Sequence, residues 1–342
     1  MILSIQYLRG IAAFLVLMHH VAFKLERYGN NPLSWLHSAD VGVDIFFVIS
    51  GFIMCHSVRH KHQQEGAVGD FLRGRVARII PLYWLLTTVA LAVFIVAPRV
   101  VNSSGGQTLI GASYLLLPTE GKYLVQNGWT LSYEFYFYLL FCIGVALPKV
   151  AGRWVVVALI STLVTLGLAL DAKGVWIDFL LSPMLAEFGF GMLLYMAFER
   201  PWRISGTVST ALAAIAVAGW LVVNFSRPAG APGIENAERV LAYGLPSLLL
   251  CFALVCRAGQ AEFRERRALR WLGDASYSLY LSHPFVAAAL TLALSRVLPA
   301  SVAQWVVGPA IVAVSLLVAG FLYAKVESPM VDKARTLLGH RH

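Results

Sequence analysis

Residues 4–23 read Ser4-Ile5-Gln6-Tyr7-Leu8-Arg9-Gly10-Ile11-Ala12-Ala13-Phe14-Leu15-Val16-Leu17-Met18-His19-His20-Val21-Ala22-Phe23. About 20 helical residues cover about 30 Å, the thickness of a bilayer's hydrocarbon core. A cleaved signal peptide would need a basic start, an unbroken apolar middle and a small-residue cleavage site. Here Arg9 and His19-His20 interrupt the run and no such site follows. The segment therefore reads as a membrane span that carries polar groups. Nine further apolar runs of similar length follow at roughly 40–58, 79–97, 129–147, 154–170, 177–197, 205–224, 240–256, 273–295 and 303–324.

The rest of the composition agrees. Of the 342 residues 58% are hydrophobic and 13% charged, with a mean hydropathy of +0.71. A soluble domain carries about 25% charged residues, so soluble, disordered and collagen-like readings all fail. The +9 net charge does not form one basic patch, which argues against nucleic acid as a partner. Cys55, Cys142, Cys251 and Cys256 lie in or at the ends of apolar runs without a CxxC pair, so neither a metal site nor a disulfide framework is expected. The fold class is all-α, a polytopic transmembrane bundle of about ten helices.

Orientation follows from Lys and Arg. With the N-terminus in the cytoplasm, segments 59–78, 148–153, 198–204, 257–272 and 325–342 lie inside. They hold 18 of the 27 basic residues, and the outside segments hold 8. Both termini are thus expected in the cytoplasm. Residues 98–128 read as a long outside loop, in which apolar 109–118 looks too short to span and forms a dipping or interfacial element, with a span left open. No inverted repeat of the kind found in many transporters is visible.

Ionisable residues inside spans cost at least ~2.5–3.5 kcal/mol each on insertion scales, which makes them functional candidates. Arg9 and His20 are eleven residues apart, so one helix presents both to nearly the same face, about 16 Å apart. Asp44 lies one turn inside the second span at a depth similar to His20, where a carboxylate can orient an imidazole. It also suits the start of a helix. Arg75 and Arg78 are three apart and face one way, a fork for phosphate. Glu134 lies one turn inside the fourth span. On the ninth, Ser276, Tyr280 and His283 follow i, i+4, i+7 and form a polar stripe, with Pro284 predicting a kink. Basic groups thus gather at the inner side and acid–base groups at the outer side. This distribution suggests an anionic cytoplasmic ligand whose reactive end reaches into the membrane.

The same residues carry a resemblance. Leu8-Arg9-Gly10 with His20, Phe46-Phe47 with Ser50-Gly51-Phe52, Arg75-x-x-Arg78 with Ile79-x-Pro81, Trp129-x-Leu131-Ser132-x-Glu134, and Tyr277-Ser278-Leu279-Tyr280-Leu281-x-His283 resemble the membrane acyltransferase-3 family. The start and size are similar to its exopolysaccharide O-acetyltransferase branch. The resemblance implies one transmembrane acyltransferase domain over 1–325 and a short cytoplasmic tail over 326–342. It further implies a bacterial inner-membrane enzyme that moves an acyl group, most often acetyl, from cytoplasmic acyl-CoA to an extracytoplasmic or lipid-linked glycan. The family's Arg-x10-His pair falls on Arg9 and His20 and its Arg-x-x-Arg pair on Arg75 and Arg78; His19 departs from the more usual aromatic or aliphatic neighbour.

On that reading His20 is the general base, oriented by Asp44 or Glu134. Arg9, Arg75 and Arg78 bind the phosphates of acetyl-CoA, a donor substrate rather than a tightly bound cofactor. Ser132, Tyr277, Tyr280 and His283 line the substrate path. Direct transfer and a covalent acyl-enzyme on Ser50 or Ser132 both remain open, although small polar residues also serve helix packing. The expected partners are membrane lipid, acyl-CoA and a glycan acceptor, with a homo-oligomer or polysaccharide-assembly proteins as further candidates. The competing class, a transporter of an anionic metabolite or lipid-linked sugar, explains the intramembrane charges but not an Arg and a His sharing one face.

Overall fold

A computed structural model describes residues 2–28, 31, 33–101, 105–170, 173–226, 234, 236–259 and 265–339. Asn102, Ser103 and Ser104 of the expected long loop, and parts of the expected loops 225–239 and 257–272, lie outside the described residues. The first half contains helices α1 Leu3–Leu25, α2 Val41–Ser57, α3 Ala67–Val96, α4 Pro98–Val101, α5 Ile110–Leu115, α6 Gly128–Ala146, α7 Lys149–Ala169 and α8 Val175–Leu180. The second half contains α9 Leu185–Phe198, α10 Gly206–Ser226, α11 Asn236–Arg239, α12 Leu245–Val255, α13 Arg267–Asp274, α14 Ser276–Val297, α15 Ala300–Leu322 and α16 Ser328–Leu337. No strand occurs among the described residues.

Among the described residues, ten stretches are long and apolar enough to cross a bilayer. In the sixth, α8 and α9 share one span that breaks at Leu181–Met184, where Pro183 supplies no N–H. Three boundaries differ from the sequence reading. Helix α3 starts at Ala67 rather than at 79, because hydropathy marks immersion whereas the arginines before it are good helix formers. Arg75 and Arg78 are helical residues, as their facing one way at a spacing of three requires. The apolar stretch 109–118 contains only the short helix α5, Ile110–Leu115. The segment after 325 is the helix α16, joined to α15 by a π-turn over Tyr323–Glu327 and packed against α3.

Lipid tails are as apolar as leucine, so membrane helices associate by close packing at small residues. Two glycine seams set this bundle's geometry. A Cβ added to Gly51 would lie 2.0 Å from the Phe188 carbonyl oxygen, and one added to Gly191 would lie 2.0 Å from that of Val48. The backbones of α2 and α9 therefore touch. Phe188 stacks there on Phe47 and Phe137, each at 4.5 Å between ring centroids. At the second seam a Cβ on Gly273 would lie 2.1 Å from the Gln6 carbonyl oxygen, so α13 lies directly on α1. Large apolar side chains such as Val222, Phe225 and Leu317 point outward, as a lipid-facing surface requires.

Candidate active site

The glycine seam between α1 and α13 brings the start of α14 to Arg9. Gln6 Nε2 donates to Asp274 Oδ1 at 2.5 Å, and Arg9 Nη2 donates to Ser276 Oγ at 3.1 Å. Arg9 thereby enters the wall of a cavity of about 180 Å³ between α1, α2, α3, α6 and α14. Arg75, Arg78, Glu134, Tyr277 and Tyr280 line the same cavity, as do Ser50, Thr130 and Tyr138. Residues separated by nearly the whole chain thus share one chamber.

Each arginine is held differently. Arg78 Nη1 lies 2.5 Å from Glu327 Oε1, and its guanidinium sits over the Tyr277 ring at 5.8 Å. Glu327 is fully buried and also accepts from Ser278 Oγ at 2.5 Å. Glu327 ends the π-turn between α15 and α16, a local widening that proteins often place at functional sites. Arg75 rests over Phe71, and its Nε is buried with no partner among the described residues. On the opposite side Glu134 accepts from Ser50 Oγ at 3.1 Å and from the Tyr138 hydroxyl. Three guanidiniums face this carboxylate, with Glu327 behind Arg78, so the chamber favours an anion.

His20 lies outside the chamber, against His283. Their ring centroids are 4.9 Å apart, and His19 contacts the other side of His20 at 5.2 Å. Tyr280 separates chamber and histidines: it lines the cavity, meets Phe46 at 5.7 Å and His283 at 6.3 Å. The Tyr280 hydroxyl is within 2.8 Å of Thr130 Oγ1. Pro284 supplies no N–H to the Tyr280 carbonyl, and Asn127 Nδ2 fills that vacancy at 2.7 Å. The Tyr277 hydroxyl donates to the Ile79 carbonyl at 2.8 Å.

Two residues stand elsewhere than the sequence suggested. Asp44 does not orient His20: Arg239 Nη2 and Nε bond its two carboxylate oxygens at 2.6 and 3.1 Å. Arg239 also holds Asp40 at 2.7 Å and stacks over Tyr243. A π-turn over Val240–Gly244 follows it, and the fully buried Glu187 packs against Gly244 of that turn with both carboxylate oxygens unpartnered among the described residues. A buried carboxylate is drawn to the nearest cation, and the guanidinium outcompetes a neutral imidazole. Ser132 faces away from the chamber, bonded to the Tyr123 hydroxyl at 3.0 Å and the Gly128 carbonyl at 3.3 Å. Glu134 likewise makes no bond to His20. The expected stripe also divides: Ser276 and Tyr280 line the chamber, whereas His283 lies beyond Tyr280.

Glu187, Arg239 and Glu327 were not anticipated. Glu187 interrupts the run Met184-Leu185-Ala186-Glu187-Phe188, so the test that singled out Glu134 would have found it. Arg239 and Glu327 lie outside the apolar runs, and their partners are 195 and 249 residues away, a separation that leaves no local signal.

The family model described as an acyltransferase domain matches residues 2–324. The exopolysaccharide production protein ExoZ of Rhizobium meliloti (strain 1021) is 28% identical over 304 residues, covering 86% of this chain and 90% of that protein. The putative membrane-bound transacylase BcsY of Komagataeibacter xylinus is 25% identical, covering 82% of this chain and 71% of its own. The peptidoglycan O-acetyltransferase OatA of Listeria monocytogenes is 24% identical over 82% of this chain but only 48% of that protein. No solved structure matches significantly. With a family model spanning nearly all of its ten-helix bundle, this chain belongs to the membrane acyltransferase-3 family and is an acyltransferase.

Proposed function

We propose that this acyltransferase moves an acetyl group from cytoplasmic acetyl-CoA to a hydroxyl of an extracytoplasmic or lipid-linked glycan, with His20 as the general base. The observation that carries the reading is the chamber of Arg9, Arg75 and Arg78, whose Tyr280–Phe46 wall abuts the His20–His283 pair. Three guanidiniums suit the CoA phosphates, and planar N–H forks bind phosphate oxygens in pairs. The pantetheine arm then carries the thioester toward the wall. On the far side His20 takes the proton of a sugar hydroxyl as its oxygen attacks the thioester carbon. The new C–O bond forms, the C–S bond breaks, and the CoA thiolate leaves and is protonated. Glu134, held by Ser50 and Tyr138, is the carboxylate of the donor chamber and balances the arginines. Tyr277 and Tyr280 shape the path of the arm.

Names of relatives support the acceptor class: one is an exopolysaccharide production protein and one a peptidoglycan O-acetyltransferase. The reading places both termini in the cytoplasm and the chain in the bacterial inner membrane. Purified protein in lipid nanodiscs, supplied with acyl-labelled acetyl-CoA and exopolysaccharide, tests it. The label should leave CoA and appear as an alkali-labile ester, and His20→Ala should reduce transfer by about 10²–10⁴-fold. His19→Ala should cost far less, since the two rings point about 100° apart around α1. An intact thioester, with label or sugar moved across vesicles instead, would support a transporter and end the proposal.

A further inference from the structure

With Asp44 bonded by Arg239 and Glu134 inside the donor chamber, the proposed base is bonded by no carboxylate among the described residues. The rings that meet His20 are those of His283 and His19. A general base needs one nitrogen free for the substrate proton and the other kept protonated by an acceptor, so that the imidazolium formed in the transition state is stabilised. His283 meets the description of that acceptor. Its Nδ1 lies 2.9 Å from the Leu279 carbonyl oxygen. A carbonyl only accepts, so Nδ1 carries the proton and Nε2 bears the lone pair. That Nε2 is fully buried with no partner among the described residues, and a buried polar atom left bare calls for a reason. The His20 ring lies 4.9 Å away, tilted by 50°.

We propose that His283 is the positioning residue for His20: when substrate binds, the bare Nε2 lone pair accepts the N–H of the neighbouring His20 ring, fixing the tautomer that leaves the other nitrogen of His20 to take the substrate proton. The relay runs from the Leu279 carbonyl through His283 to His20, and no carboxylate takes part. The Asn127 bond to the Tyr280 carbonyl, which Pro284 leaves without its helical N–H, holds the turn of α14 that carries the Leu279 carbonyl. In the transfer step His20 gains one proton from the sugar hydroxyl, and the N–H facing His283 stays on His20. His283 therefore neither gains nor loses a proton overall. This inference rests on the reading of His20 as the base.

Two amide variants separate the two ring nitrogens. Gln at 283 puts its amide near the position of Nε2, where its oxygen can accept from His20. Asn puts its amide near Nδ1 and keeps only the contact to Leu279. In a purified assay His283→Gln is expected to retain at least tenfold more kcat than His283→Asn. The Asn variant should fall about 10²-fold, the lower end of what a positioned base contributes, with donor KM unchanged in both. A residue that merely packs would move the thermal midpoint and leave kcat indifferent to which amide is present. Equal kcat in the two variants, with His20→Ala inactive, overturns the role of His283 and leaves the base assignment standing. Activity retained in His20→Ala overturns the base assignment itself.

Discussion

Replacing Gly273 by alanine separates what helix propensity expects from what the tertiary structure requires. In an isolated helix the change stabilises by up to about 1 kcal/mol. In this bundle the new Cβ would lie 2.1 Å from the Gln6 carbonyl oxygen, where ordinary contact begins at 3.4 Å. Helices α1 and α13 must part by roughly 1.3 Å, the difference between those two distances. Overpacking of this kind costs about 1–3 kcal/mol, so the net effect is a lower thermal midpoint. The same displacement stretches the 2.5 Å Gln6–Asp274 and 3.1 Å Arg9–Ser276 bonds that set Arg9 in the chamber wall. A charge-assisted bond between Arg9 and a donor phosphate is worth about 1.5–3 kcal/mol, so its loss raises donor KM about tenfold or more. Saturation kinetics with labelled acetyl-CoA and unfolding in detergent read the two effects. Gly111→Ala is the control, because nothing lies within 4 Å of its Cβ position. A wild-type donor KM and midpoint in Gly273→Ala would refute the seam as the device that places Arg9.

Arg75→Lys and Arg78→Lys keep the charge but lose the planar fork, so both should raise donor KM with little change in kcat; wild-type donor kinetics in both would return them to a purely topological role. In a cysteine-free background, Glu65→Cys should resist an impermeant thiol reagent applied from outside while Glu120→Cys reacts, and the reverse pattern would invert the proposed orientation. Glu199, just beyond α9, offers a pH test: burial pushes its carboxyl up, but bonds from Arg153 and from Lys149 at 2.9 Å outweigh that and hold it at about 2. Because this lies below the ordinary 4.5, the stabilisation is complete above about pH 4.5 and fades as pH falls toward 2. The stability gap between wild type and Glu199→Gln should close over that window, and a gap independent of pH would show that the ion pair contributes nothing.

The spans were legible because immersion in lipid demands long apolar runs, and that demand is local. The shared face of Arg9 and His20 was legible for the same reason: a helix repeats its geometry whatever surrounds it. Arg75 and Arg78 reached the chamber as their spacing implied, although in a helix that starts twelve residues earlier than hydropathy suggested. The partner of Asp44 was not legible. Depth placed it level with His20, but depth says nothing about rotation around the bundle, and Arg239 approaches from a segment that the apolar runs did not mark. Glu327 escaped for a similar reason, since the π-turn that aims it at Arg78 arises from packing and leaves no pattern in Tyr323-Ala324-Lys325-Val326-Glu327. Ser132 shared a motif with Glu134 yet faces Tyr123, because residues two apart on a helix point to different sides.

The Tyr280–Phe46 wall has a bioenergetic consequence. A continuous wet path from the arginines to the histidine pair would let protons run down the electrochemical gradient of an energised membrane. Each proton crossing 100 mV releases about 2.3 kcal/mol, and a leak of that kind would drain the cell even with no substrate present. Tyr280, which lines the chamber and meets His283 on its other side, stands where it would interrupt such a path. On the proposed function, the reactive carbonyl at the end of a slim pantetheine arm would need only a narrow, brief opening, which the arm itself would plug. On this view an acyltransferase built across a bilayer must conduct an acetyl group without conducting protons, and the aromatic wall is the part of this protein that reconciles the two demands.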